Sequence, residues 1–150
     1  MMSQVPTIAV YDHQQVVSLA PDLIAKLEAA AAEAMPMVLE RLGRGQHVLS
    51  GLEEVEVSLV DDKTIADVHE KFMGIPGATD VITFDHGEIH ISLETAMRQA
   101  EEYFHDVDAE IMLYILHGLL HLAGHEDASE QGQETMDMHQ TELLSLVWQV

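Results

Sequence analysis

Two histidines four residues apart, His117 and His121, stand in a segment that is otherwise almost wholly apolar from Ile111 to Ala123. On a helix that spacing stacks both imidazoles on one face, where two ring nitrogens can reach one divalent ion. The chain has no cysteine, so disulfides, thiolate zinc sites and cysteine nucleophiles are excluded and any metal must be held by His, Asp or Glu. Gly124 follows, a residue able to adopt a left-handed conformation, ending the helix and folding the chain back across its last turn. That reversal makes His125, Glu126 and Asp127 candidates for a third ligand, because a catalytic zinc takes three protein ligands and keeps one position for water. The competing reading is a pair of hydrogen-bonded core histidines in a chain that contains ten. Two imidazoles in register on an apolar helix, with Gly118 between them, favour the ion, since buried imidazoles need partners. Gly118 costs about 1 kcal/mol relative to alanine in a helix interior, so it marks a close approach of backbone or ligand. It also excludes the HExxH peptidase mechanism, which needs a glutamate base beside the first histidine.

The elements that must position this helix can be read from periodicity. Thr7-Ile8-Ala9-Val10 is short and β-branched, a first strand. Pro21-Asp22 opens a helix whose apolar positions Leu23, Ile24, Leu27, Ala31 and Ala34 keep helical spacing to about Pro36 or Leu42, before the turn Gly43-Arg44-Gly45. Val55, Val57 and Leu59 alternate with Glu56 and Ser58 as a half-buried strand. Asp61 or Asp62 caps a helix from Lys63 to about Met73, with Ile65, Val68 and Phe72 on one face, ending at Gly74-Ile75-Pro76-Gly77. Two strands, Asp80 to Phe84 and Glu88 to Ser92, form an antiparallel hairpin through Asp85-His86-Gly87. Ser92 caps a helix over Leu93 to Tyr103, His105 to Asp108 reads as a loop, and the apolar helix starts near Ala109. Thr79 and Asp80 are assigned to turn and cap chemistry, His86 and His90 to exposed or cross-strand roles, and His139 on the last helix to the surface or an interface.

With 150 residues, 47% of them hydrophobic, one domain spanning 1–150 is expected. Met1-Met2-Ser3-Gln4-Val5-Pro6 lacks the basic and apolar runs of a secretory signal, and no apolar stretch is long enough to span a bilayer, so the cytoplasm is the expected compartment. Six Lys plus Arg against 27 Asp plus Glu give a formal charge of −21. Such a field repels a polyanion from most of the surface. An enzyme of RNA with this balance must gather its few cations locally or be delivered by a basic partner.

The run His117-Gly118-Leu119-Leu120-His121-Leu122-Ala123-Gly124 closely resembles the signature H-G-x-L-H-L-x-G-Y-D-H of the YbeY family of ribosomal RNA maturation endoribonucleases. Thr79-Asp80-Val81-Ile82-Thr83-Phe84 is similar to the family's T-D-V-L-S-F, and Gly87-Glu88-Ile89-His90-Ile91-Ser92 to its G-D-I-x-I-S. The resemblance covers about residues 60 to 127. It implies an α+β, zincin-like fold: one small mixed sheet of about four strands flanked by helices, with a metal-bearing C-terminal helix. It implies one Zn2+ per chain and a metal-dependent, single-strand-specific endoribonuclease acting in ribosomal RNA maturation and ribosome quality control. The implied partners are single-stranded ribosomal RNA and the ribosome or its proteins, with no membrane and no DNA.

Two departures bear on chemistry. Where the signature ends in Y-D-H the chain has His125, Glu126 and Asp127, so Asp127 occupies the place of the third histidine and His117, His121 and Asp127 become the preferred ligand set, with His125 the alternative third ligand. A carboxylate lowers the charge of the centre by one unit, weakening its acidification of water, and shifts preference towards Mn2+ or Mg2+. Second, the family's Y-R-G is Phe72-Met73-Gly74 here, so an arginine able to clamp a phosphate is replaced by Met73, with Lys71 a partial substitute on a different helix face. His117 and Glu126 are the candidate catalytic residues, and His125 competes with Glu126 as base. The alternative function is a catalytically weakened, metal-binding, ribosome-associated protein that keeps the fold; a metallohydrolase of another substrate, peptides included, is the third.

Overall fold

The computed structural model describes residues 5–148; residues 1–4, which belong to the stretch read as lacking a secretory signal, lie outside the described residues. Strand β1 (Thr7–Asp12) leads to helix α1 (Leu23–Leu39), a short 3-10 turn (Leu49–Gly51), β2 (Glu54–Val60), α2 (Asp62–Met73), β3 (Val81–Phe84), β4 (Glu88–Ser92), α3 (Leu93–Glu102), α4 (Val107–Leu122) and α5 (Glu130–Val147). The strands form one mixed sheet in the order β1-β2-β4-β3. β1, β2 and β4 run parallel, and β3 closes the hairpin antiparallel to β4, with Val81 opposite Ile91 and Thr83 opposite Ile89. The expected α+β architecture is therefore the one observed.

Alternation decides the two faces of the sheet. Val55, Val57 and Leu59 of β2 and Ile89 and Ile91 of β4 are fully buried on one face, where α1 and α4 lie. Helix α4 also packs against α3 and α5. That central position explains why Ile111, Met112, Ile115, Leu116, Leu119 and Leu120 are all 0% exposed, each such side chain contributing about 1.5–3 kcal/mol of apolar burial. On the other face a smaller cluster of Val60, Ile65 and Ile82, with Val68 and Phe84, packs beneath α2.

Several boundaries differ from the sequence expectation. Helix α4 begins at Val107 because Asp106 caps it, accepting from the Asp108 backbone N–H at 3.3 Å; the expected loop over His105 to Asp108 is shorter by two residues. Pro36 lies inside α1, whose last turn continues to Leu39. Phe72, expected on the buried face of α2, is exposed and meets the Phe84 ring edge to face, 5.5 Å between centroids. Asp61 is the cap of α2, accepting from Thr64 N–H at 2.8 Å.

Asp62 ties α2 to α3 instead. Its Oδ1 accepts from the Ser92 hydroxyl at 2.6 Å and the Thr95 hydroxyl at 2.8 Å, and its Oδ2 from Arg98 at 2.8 Å. Burial pushes this carboxyl up, but the bonds from Arg98, Ser92 and Thr95 outweigh it and hold it below the usual aspartate range. A carboxyl depressed in the folded state contributes stability that is present above its unfolded value and lost as pH falls through the folded one. Asp62→Asn is expected to cost about 1–3 kcal/mol at neutral pH, with the gap to wild type in urea unfolding closing below about pH 4. A penalty of equal size at neutral pH and at about pH 3 would contradict this assignment.

Candidate metal centre

Helix α4 carries His117 and His121 on the face turned towards β3, and their rings meet edge to face with centroids 4.6 Å apart. The backbone then reverses as expected: Gly124 has φ of +99°, its N–H donates to the His121 carbonyl at 3.0 Å, and the His125 N–H reaches back to the Leu120 carbonyl at 3.0 Å. These paired bonds around a left-handed glycine form a Schellman end. They return the chain so that Asp127 Oδ2 lies 3.4 Å from His117 Nε2 and 3.6 Å from His121 Nε2.

Gly118 proves to mark a close approach. A Cβ there would lie 2.7 Å from Ile89 Cδ1 and 3.0 Å from Ile89 Cγ1, and Ile89 is fully buried on β4. Without a side chain at 118, the helix sits directly on the sheet, and its two histidines reach the sheet's edge.

The three donors fit a divalent ion. Each residue offers one ligand atom within 4.8 Å of the other two, and a tetrahedral ion with bonds of about 2.1 Å sets neighbouring donors about 3.4 Å apart. Protonation points the same way. His117 Nδ1 lies 3.0 Å from Gln140 Oε1 on α5; an amide oxygen only accepts, so the ring donates to it through Nδ1 and turns Nε2 towards Asp127. Burial, helped by the neighbouring His117, holds His121 below the usual histidine range against the opposing pull of Asp127 and the His125 backbone, so its ring is neutral at neutral pH. Two ring nitrogens and a carboxylate oxygen thus converge, an arrangement that a cation satisfies.

His125 goes elsewhere. It is buried, 8% exposed, with Nε2 hydrogen-bonded to the Arg41 carbonyl, so it braces the turn rather than joining the donor group. His139, expected at the surface or an interface, is half-buried with its ring 4.8 Å from that of His125 and Nδ1 3.3 Å from Arg41. His86 is exposed and His90 meets Phe84 of β3 edge to face across the hairpin, 5.6 Å between centroids, as the exposed or cross-strand expectation has it; both rings also approach Glu88, at 3.5 and 3.3 Å.

The donor group opens into a cleft of about 600 Å³ between the α4 turn and β3. Glu126 lines it and is exposed, outside the donor group. Met73 lines it too, from the end of α2. Thr79 and Asp80 make the local bonds expected of a turn, Asp80 Oδ1 accepting from Val81 N–H at 2.8 Å and from the Thr79 hydroxyl at 3.3 Å, yet both also face the cleft. Thr83, not singled out from the sequence, lines the same wall, and its buried Oγ1 has no hydrogen-bond partner among the described residues. The signal for it was available, since the similar motif T-D-V-L-S-F also carries a hydroxyl at that place. Gln140 had no such signal, being 23 residues from His117.

Comparison with known proteins gives a consistent result. The family model described as endoribonuclease YbeY matches residues 19–147. A protein of Nautilia profundicola named endoribonuclease YbeY is 39% identical over 54% of this chain and 64% of its own length. Proteins of the same name from Thermobifida fusca and Bacillus cereus are 32% and 31% identical, over 79% and 85% of this chain and 92% and 95% of their own. A solution structure of a Thermotoga maritima protein covers 95% of this chain and 89% of its own with a TM-score of 0.61 at 23% identity, a likeness of fold.

Proposed function

Because the chain belongs to the endoribonuclease YbeY family, we propose that it is a metal-dependent, single-strand-specific endoribonuclease acting in ribosomal RNA maturation, one metallohydrolase domain holding one Zn2+ through His117, His121 and Asp127. The observation that carries this reading is the meeting of two imidazoles and a carboxylate at the head of the cleft. When bound, the ion would supply polarisation of a phosphate oxygen and acidification of water.

The chain's own residues do the rest. Gln140 fixes the His117 tautomer, so that ring enters the site through Nε2 alone. Glu126, exposed on the cleft wall, accepts the proton of the attacking water or 2′-hydroxyl. No helix among the described residues is long and apolar enough to cross a membrane.

A labelled single-stranded RNA is expected to be cut internally, to survive when the protein is stripped with chelator, and to be cut again once Zn2+ or Mn2+ returns, while duplex RNA and DNA persist. Cleavage that is indifferent to chelation would remove the metal from the reaction. One observation favours a second reading: Met73, neutral and unable to hydrogen-bond bidentately, faces the cleft where a phosphate clamp would be useful. A protein that co-sediments with ribosomes and retains its ion, yet cuts no RNA, is the weakened binding protein of that reading.

A further inference from the structure

Only six lysines and arginines accompany 27 acidic residues, so the place of each cation matters. Arg41 is paired with Glu142 at 2.7 Å and Arg98 with Asp62 at 2.8 Å. Lys26 lies over the Trp148 ring and Lys71 over that of Phe72. Lys63 is in the first turn of α2, at the opposite end from Met73. Arg44 remains: it is exposed, forms no ion pair among the described residues, and lines a groove of about 390 Å³.

That groove continues the cleft. Gly124, His125 and Glu126 line both, and beyond them the groove is walled by Arg44 and by the neutral polar residues Ser129, Gln131 and Thr135 of the α5 entrance. Glu126 is its one carboxylate. In a chain of −21, a strip with one guanidinium and one carboxylate is the exception, and it adjoins the donor group.

Arg44 is also held in place. Gly43 N–H donates to the Ala123 carbonyl, Gly45 N–H to Gly124 and Val48 N–H to Leu122, each at 2.9 Å. Two backbones come this close because glycines face one another: a Cβ on Gly43 would lie 2.6 Å from His125 N, and one on Gly45 2.8 Å from the Gly124 carbonyl oxygen. The residue between these glycines is therefore clamped to the very turn that carries Asp127, with its side chain free.

We propose that the groove at Arg44 is a phosphate subsite for the RNA strand, taking a backbone phosphate next to the one at the metal centre. The subsite rests on the nuclease reading above. It places the neutralising charge in the groove that adjoins the cleft, away from Met73. A guanidinium suits this task because it grips phosphate oxygens in pairs.

The test is binding of a fluorescent 2′-O-methyl oligouridylate, which resists cleavage, by the full chain across a salt series. Arg44→Gln is expected to weaken binding on the order of fivefold at low salt and to reduce the slope of log K against log salt by about 0.7, the contribution of one single-strand phosphate. Arg44→Lys should restore most of the slope, and Lys63→Gln, which removes an equal charge away from the cleft, should leave it unchanged. If Arg44→Gln and Lys63→Gln behave alike, the effect belongs to the general field and the subsite falls, although the nuclease reading stands. If the wild type binds no single-stranded RNA, both fall together.

Discussion

Purified without a metal-affinity tag, the wild type is expected to carry about one ion per chain, and His121→Ala and Asp127→Ala less than about a tenth of that. Each substitution removes one of three donors whose atoms lie within 4.8 Å of one another, and two ligands left on an open cleft do not hold an ion through purification. Loss of an outer partner alone commonly costs about 10–100-fold in affinity, so Gln140→Ala, which releases the His117 tautomer, should lie between wild type and the ligand variants. His125→Ala separates the two candidate third ligands. With its Nε2 on the Arg41 carbonyl, His125 should be dispensable for the ion while its loss lowers stability. Elemental analysis decides this: an ion lost with His125→Ala and kept with Asp127→Ala would overturn the donor set.

Gly43→Ala is expected to be strongly damaging. Its Cβ would meet the backbone of Gly124 and His125, and backbone cannot step aside as the end of a side chain can. Separating the two segments breaks the bonds from Gly43, Gly45 and Val48 to the end of α4. Overpacking and the lost bonds together should cost about 3 kcal/mol, a fall of roughly 10 °C in melting temperature for a chain of this size. The ion should be held more weakly as well, because the turn that carries Asp127 loses its brace. Gly51→Ala is the matched control, since a Cβ there meets nothing within 4 Å. Equal melting temperatures for the two variants would show that the loop does not lean on the turn.

Much of this architecture was legible because it rests on local rules. The alternation of Val55, Val57 and Leu59, the caps at Asp61 and Ser92, and the histidine pair ended by Gly124 all act within a few residues, and each appears where those rules put it. What could not be read depends on residues far apart in the chain. Nothing near His125 indicates that the Arg41 carbonyl, 84 positions away, will occupy its ring. Thr79 and Asp80 do make their turn, but the turn borders a cleft whose other wall comes from the end of α4. Phe72 has the right period for burial, yet it stays exposed with only an edge-to-face contact to Phe84 from the sheet among its aromatic neighbours. Periodicity gives a face its direction and says nothing about how far the opposing surface extends.

The bond from Gln140 to His117 has a consequence for the order in which the molecule comes together. The two histidines lie on α4 and Asp127 on the turn after it, but the His117 ring is oriented by α5, so the site is complete only once the later helix has docked. Ion binding and α5 docking are then linked, each favouring the other by the same free energy. If lifting α5 away weakens the ion about 10–100-fold, saturating ion supplies at most about 1.4–2.7 kcal/mol against that opening. Slowed hydrogen exchange along α5 on adding the ion would be its signature, and a partly folded chain, with α5 still undocked, would hold its metal poorly.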